Sequence, residues 1–211
     1  MRFRLLGIGA MASPRYAPAG LLIEHRGHRV MVDGGPGAVA ANRLDAWLVT
    51  DVRAELMAEI RRLARRRGLD PDVREYVAGD VAIRPLAVQH TSHPSFGYLI
   101  ATPQHGVVWA PEFFRFPAWA VGADLMFAEG ASWSRPIRFA AGAGGHAAVL
   151  EVAREAQQHG VRRLVFAHLG RPTLRALDAG ERPPYGEIGR EGEVYRPPVA
   201  RRERRWRDAA F

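Results

Sequence analysis

Five residues, Asp33-Gly34-Gly35-Pro36-Gly37, constrain this chain more than any other stretch. Proline offers no amide hydrogen and fixes its φ, while glycine admits sharp backbone reversals, so no strand runs through them. The β-rich run Arg29-Val-Met-Val32 must therefore stop there. An earlier run, Leu21-Leu-Ile23, is separated from it by His25-Arg-Gly27-His28, a tight Gly-bearing connection, and the two read as a hairpin. A third apolar strand, Ala46-Trp-Leu-Val49, delivers Thr50-Asp51 to its C-terminal end. From Glu55 onward, Leu56, Ile60 and Leu63 at helical spacing predict a helix, with Arg61, Arg62, Arg65 and Arg66 on its wet face.

Further along, apolar runs repeatedly end in titratable residues. They are Val88-Gln-His90-Thr-Ser-His93, Val107-Val-Trp-Ala-Pro-Glu112, Asp124-Leu-Met-Phe-Ala-Glu129 and Val161-Arg-Arg-Leu-Val-Phe-Ala-His168. Gly144-Gly145-His146 opens a helix through Val149, Val152, Ala153 and Ala156. This alternation of strands and helices supports an α/β class. Strand ends with no chemistry to perform favour turn formers, so His90 and His168 read as site residues. His93 reads as either a spare ligand or a loop residue. Asp51 has a structural alternative as N-cap of the helix that follows. His25, His28, His105 and His159 flank glycines and are expected at exposed turns or caps.

In order and spacing these segments resemble the metallo-β-lactamase superfamily, and within it the ribonuclease Z-like and phosphodiesterase-like branch. The resemblance covers most of the chain. It implies an αββα sandwich, two mixed sheets packed face to face with helices outside, and a site where strand-end loops meet. In that family an Asp-Gly-Gly turn is followed by a strand running into T-H-x-H-x-D-H, whose side chains hold two metal ions. Here the first His position is Asp51, the second is Arg53, the Asp is Glu55 and the last His is Leu56. Downstream, the resemblance places His90 and His168 at ligand positions and Glu112 where an Asp bridges the metals. It makes Glu129 and His146 a pair that handles a proton.

A guanidinium stays protonated, so Arg53 cannot ligate, and the imidazole-rich site is expected to be lost. Asp51, Glu55, His90, Glu112 and His168 remain as metal donors. With no cysteine in the chain, oxygen and imidazole ligands suit at most one ion, zinc, manganese or iron. Two functions follow. The first is a hydrolase in which Glu129 and His146 manage the leaving-group proton. Arg53 or Arg171 would then hold a small anionic substrate such as a phosphodiester. The second is a metal-free binding protein in which Arg53 takes the cation's place against Asp51, Glu55 or Glu112.

The net charge of +8 raises the question of nucleic acid, since a basic surface attracts phosphates. Every basic residue is arginine, as in a GC-rich bacterial coding bias, and the densest cluster, Arg201 to Arg207, lies at the C-terminal end. No aromatic and basic residues interleave in the core strands, so nucleic acid is not the expected partner. Neither a bilayer-length apolar run nor a signal-peptide pattern occurs at Met1-Arg-Phe-Arg-Leu-Leu, and a cytoplasmic location is expected. The 211 residues are expected to form one domain, with an irregular basic arm from about 181 that leaves a homodimer contact open.

Overall fold

The computed structural model describes residues 1–199. Strands β1 (Arg2–Gly7), β2 (Gly20–His25), β3 (His28–Asp33) and β4 (Ala46–Leu48) follow in turn. The predicted hairpin is β2 with β3. Its two-residue loop has Arg26 and Gly27 both at positive φ, 47° and 88°, and His25 faces His28. Such a loop matches the right-handed twist of the strands it joins. Helix α1 (Met57–Arg65) begins two residues later than Glu55 and exposes Arg61, Arg62 and Arg65 as the spacing predicts.

The second half supplies β5 (Tyr76–Ala78), β6 (Val81–Val88), β7 (Ser95–Ala101), β8 (Gly106–Ala110), β9 (Leu125–Glu129), β10 (Ile137–Arg138) and β11 (Gly145–His146). Helix α2 (Val149–Gln158), strand β12 (Leu164–Ala167), helix α3 (Arg171–Asp178) and strands β13 (Glu187–Ile188) and β14 (Val194–Tyr195) complete the order. Two sheets result. One runs β14-β1-β2-β3-β4 and the other β13-β12-β9-β8-β7-β6-β5. Both are mixed, for β3 and β4 run parallel in an otherwise antiparallel sheet. In the second, β8, β9, β12 and β13 run parallel beside the antiparallel β5 to β8.

Alternation along the strands sorts the side chains into layers. Leu21 and Ile23, Val30 and Val32, and Ala46 and Leu48 face the second sheet in the main core. The residues between them, Leu22, Met31 and Trp47, face the other way and are covered by Met57, Ile60 and Ala64 of α1. Across the sandwich Phe3 meets Phe127 at 6.0 Å between ring centroids, and Phe127 meets the edge of Tyr195 at 5.5 Å. All five residues of β8 are buried, as expected of a strand covered on both faces. Val149, Val152, Ala153 and Ala156 of α2 form a stripe one helical face wide and join the same core. The result is the αββα sandwich.

The stretch from about 181 is tied in more firmly than an irregular arm. Its short strands pair with β12 and with β1, adding an edge to each sheet. The arginine cluster from 201 to 207 lies outside the described residues. No helix among those described is long and apolar enough to cross a membrane.

Candidate functional site

Strand ends from both sheets converge on one cleft of about 520 Å³. The five-stranded sheet contributes Asp33 from the end of β3 and the loop after β4, from Thr50 to Leu56. The seven-stranded sheet contributes His90 and His93 after β6, Glu112 after β8 and His168 after β12, and His146 comes from the β10–β11 ribbon; Glu129, at the end of β9, lies buried behind this wall.

The Gly144-Gly145 pair explains how His146 and His90 come together. Both glycines have strongly positive φ, 140° and 151°, and a Cβ on either would collide with backbone, at His90 O or Ile137 O. Only glycine lets this turn lie against His90. There Gly145 N–H donates to His90 O at 2.8 Å, and the His90 Nδ1–H donates to Gly145 O at 2.9 Å. His168 follows β12 with φ 56°, a left-handed conformation that few side chains other than glycine adopt.

Five side chains then alternate as imidazole and carboxylate. His90 Nε2 lies 2.8 Å from Glu112 Oε2, and Glu112 Oε1 lies 3.3 Å from His168 Nε2. His168 Nδ1 lies 3.2 Å from Glu129 Oε1, and Glu129 Oε2 lies 2.8 Å from His146 Nδ1. Glu129 is wholly buried. Its oxygens also accept Phe113 N–H at 3.1 Å and Ala131 N–H at 2.8 Å. The rings of His146 and His168 stack at 5.3 Å, and Phe139 sets its ring against His90 at 5.5 Å and His146 at 5.3 Å.

Charges in this chain reinforce one another. Burial alone would raise Glu112, but His168, His90 and His146 outweigh it and hold the carboxyl well below its usual range. Burial likewise opposes ionisation of Glu129, and His146 and His168 bring it down to about 2. For His168 burial works against the cation, while Glu112 and Glu129 push it up to about 9. His90 is also raised, by Glu112 against the effect of burial.

Tautomers decide what this arrangement can hold. A carbonyl or carboxylate accepts only, so Nδ1 of His90, His146 and His168 each carries a hydrogen. The Nε2 atoms of His90 and His168 therefore point at the two oxygens of Glu112 either as lone pairs or as N–H groups. Lone pairs would repel the carboxylate, so a cation belongs there, a proton on each ring or one metal ion. Two imidazoles and a carboxylate, each imidazole fixed through its far nitrogen, fit a single divalent ion. Glu129, His146 and His168 also bring ligand atoms within 4.8 Å of one another. Both Glu129 oxygens are occupied by backbone and imidazole donors, so that group fits an orienting role better than ligation.

The other candidates fall elsewhere. Asp51 and Glu55 line the cleft without joining this chain. Asp51 does not cap α1, whose N-cap is Leu56. It accepts the Arg53 N–H at 2.7 Å, holding its own loop, and pairs with His93 Nε2 at 2.7 Å. Arg53 and Glu55 are exposed, and neither forms an ion pair among the described residues. The Arg53 guanidinium thus does not occupy the place of a lost cation, because the turn made by Asp51 leaves it at the rim. Arg171 is exposed at the start of α3 and does not line the cleft. His159 is exposed as expected, but His25, His28 and His105 are half-buried. His25 reaches Asp80 at 2.7 Å, a partner no local pattern announces.

Asp33 is the residue that motif reading treated only as a strand stop. Its Oδ1 accepts Thr50 N–H at 2.7 Å and the Thr50 hydroxyl at 2.9 Å, and its Oδ2 accepts Trp109 Nε1–H at 2.7 Å. It fastens one sheet to the other directly beneath the cleft. Burial pushes its pKa up to about 6 despite these donors, with the charge of Glu112 adding to the effect.

A sandwich of two mixed sheets with strand-end loops forming the site is the metallo-β-lactamase fold, and this chain has it. The metallo-β-lactamase fold protein YhfI from Bacillus subtilis is 18% identical over 92% of this chain and 99% of its own, with a TM-score of 0.71. A diphosphatase from the PhnP family is 13% identical over 94% and 98%, with a TM-score of 0.67. The short form of human tRNase Z is 13% identical over 94% and 100%, with a TM-score of 0.62. No family model and no curated protein sequence matches the chain.

Proposed function

We propose that the chain is a hydrolase with one divalent metal held by His90, Glu112 and His168, acting on a small anionic ester such as a phosphodiester. The observation that carries this reading is the pair of Nε2 atoms facing the two Glu112 oxygens at 2.8 and 3.3 Å. A diphosphatase and a tRNase Z among the proteins of similar fold support hydrolysis at phosphorus. The chemistry supplied by such an ion is Lewis-acid polarisation of water and of the ester oxygen.

The protein's own residues do the rest. Glu129 keeps the proton on His146 Nδ1, which leaves Nε2 to exchange a proton with the leaving group in the cleft. Backbone donors hold Glu129 in place, so His146 keeps one orientation through the reaction. Phe139 covers the His90 and His146 rings and limits water around them. Arg53, at the rim, offers its guanidinium to the substrate's charge.

Elemental analysis of protein purified without chelator, then supplemented with zinc, manganese or iron, tests the site. The expected result is at most one tightly held equivalent, lost in His168→Ala. His146→Ala should keep the metal and lower turnover of bis(p-nitrophenyl) phosphate by about a hundredfold. Two tightly held equivalents in the cleft would overturn the single-ion site. Protein that holds no metal and hydrolyses no phosphodiester, lactone or thioester would overturn the hydrolase.

A further inference from the structure

The cleft contrasts sharply with the surface of this basic chain. The sequence has 30 basic residues, yet among the described residues that line the cleft Arg53 is the single arginine. Four carboxylates line it as well, Asp33, Asp51, Glu55 and Glu112. A nucleic-acid strand needs a cationic track for successive phosphates and aromatic platforms for successive bases. This cleft has one rim guanidinium and faces later phosphates with carboxylates.

Its walls are instead apolar. Met11, Leu56, Ile60, Ile137 and Phe139 line it. Met11 and Ile137 are 44% and 37% exposed there, a large share for such side chains. Phe139 is the informative member, because its ring lies against His90 and His146, the groups placed next to the reacting ester. The apolar wall therefore begins at the reacting centre. About 520 Å³ is the size of a small-molecule site.

Resting on the hydrolase reading above, we infer that the substrate is a monoanionic phosphodiester whose ester arm, joined through one oxygen to the reacting phosphorus, is alkyl or aryl. The single charge meets Arg53, and the arm lies along Phe139, Ile137 and Leu56.

Calorimetry on zinc-loaded protein with phosphorus esters of unactivated alcohols, which turn over slowly, tests binding apart from turnover. Methyl methylphosphonate, hexyl methylphosphonate and trithymidylate are the probes. Each methylene fully covered by the wall is worth about fourfold in affinity, so the hexyl ester should bind at least about tenfold tighter than the methyl ester. Trithymidylate should bind more weakly than the hexyl ester. Phe139→Ala should shrink the hexyl-to-methyl ratio to below about threefold. Ile137→Ser, at an exposed position, gives the same readout should the first variant fail to fold. Equal affinity for the two esters, tighter binding of trithymidylate, or a ratio untouched by both variants would overturn the inference. Failure of all three probes to bind would overturn it too. The hydrolase reading would then stand or fall separately, on the metal content and on turnover of lactones and thioesters.

Discussion

The two sides of the cleft are built on different principles. On the side of the five-stranded sheet, the loop from Asp51 to Leu56 exposes Arg53 and Glu55 and is held at Asp51, which accepts the Arg53 and Ala54 N–H groups and reaches His93. On the side of the seven-stranded sheet, Glu112, Glu129 and His168 join His90 and His146 in a chain in which carboxylates and imidazoles satisfy one another. Residue type alone does not make a site. Glu55 and Glu129 carry the same group, but only Glu129 is buried with donors on both oxygens. The loop is accordingly free to vary in sequence at little cost to the fold, whereas the chain across the cleft stands or falls together.

The sharpest way to break this contrast is Glu129→Gln. An amide nitrogen would face either Ala131 N–H with His168 or Phe113 N–H with His146, donor against donor in a site without solvent. The expected loss in metal-free protein is about 3–5 kcal/mol, the usual cost of removing one partner from a buried charged pair. For a chain of this size that is a fall of roughly 10 °C in melting temperature, readable by calorimetry. A melting temperature within a degree or two of wild type would show that the chain is not a cooperative unit.

A smaller effect belongs to Asp33, where the two sides meet. Its folded pKa, about 6, lies above the unfolded value of 3.8. The folded state therefore binds the proton more tightly, and stability from this group is fully present below 3.8. It declines as pH rises through about 6. Asp33→Asn carries no such charge, so the stability of wild type minus that of the variant should fall over this window and level off above it. Asn must also turn its NH₂ toward Trp109 or Thr50, which lowers the variant's stability by about 1–3 kcal/mol at low pH. Urea titrations at several pH values read both effects, and a pH-independent difference would contradict the raised pKa.

The smallest effect is expected on the loop side. Arg53→Ala should change stability by less than about 0.5 kcal/mol, as for other exposed positions outside a network, and should leave metal content unchanged. A loss of several kcal/mol in metal-free buffer would mean that Arg53 does act as an internal cation and that the two sides are electrostatically joined.

Much of this was legible in the sequence, for identifiable reasons. The hairpin of β2 and β3 follows from a Gly-bearing two-residue loop between alternating runs, and α2 from its apolar stripe. The strand ends carrying His90, Glu112, Glu129 and His168 are marked by apolar runs that halt at titratable residues. What could not be read is direction and distant partnership. Nothing local says that Arg53 lies at the rim, or that Asp51 prefers its own loop and His93 to the start of α1. The bond from Trp109 to Asp33 joins strands of different sheets, so Asp33 looked like a mere stop. Strands β13 and β14 have two residues each, too short for any periodicity.

The pairing of Phe3 with Tyr195 has a consequence in time. Strand β1 finds its edge partner only after β14 has been made, so the five-stranded sheet cannot close before every other strand of the described chain exists. Contacts this remote in sequence slow folding, because the entropy of a long loop is lost before the contact returns anything. Until then β1 keeps an open edge, the kind of surface on which nascent chains associate with one another. The arrival of β14 thus sets when this edge becomes safe from its neighbours.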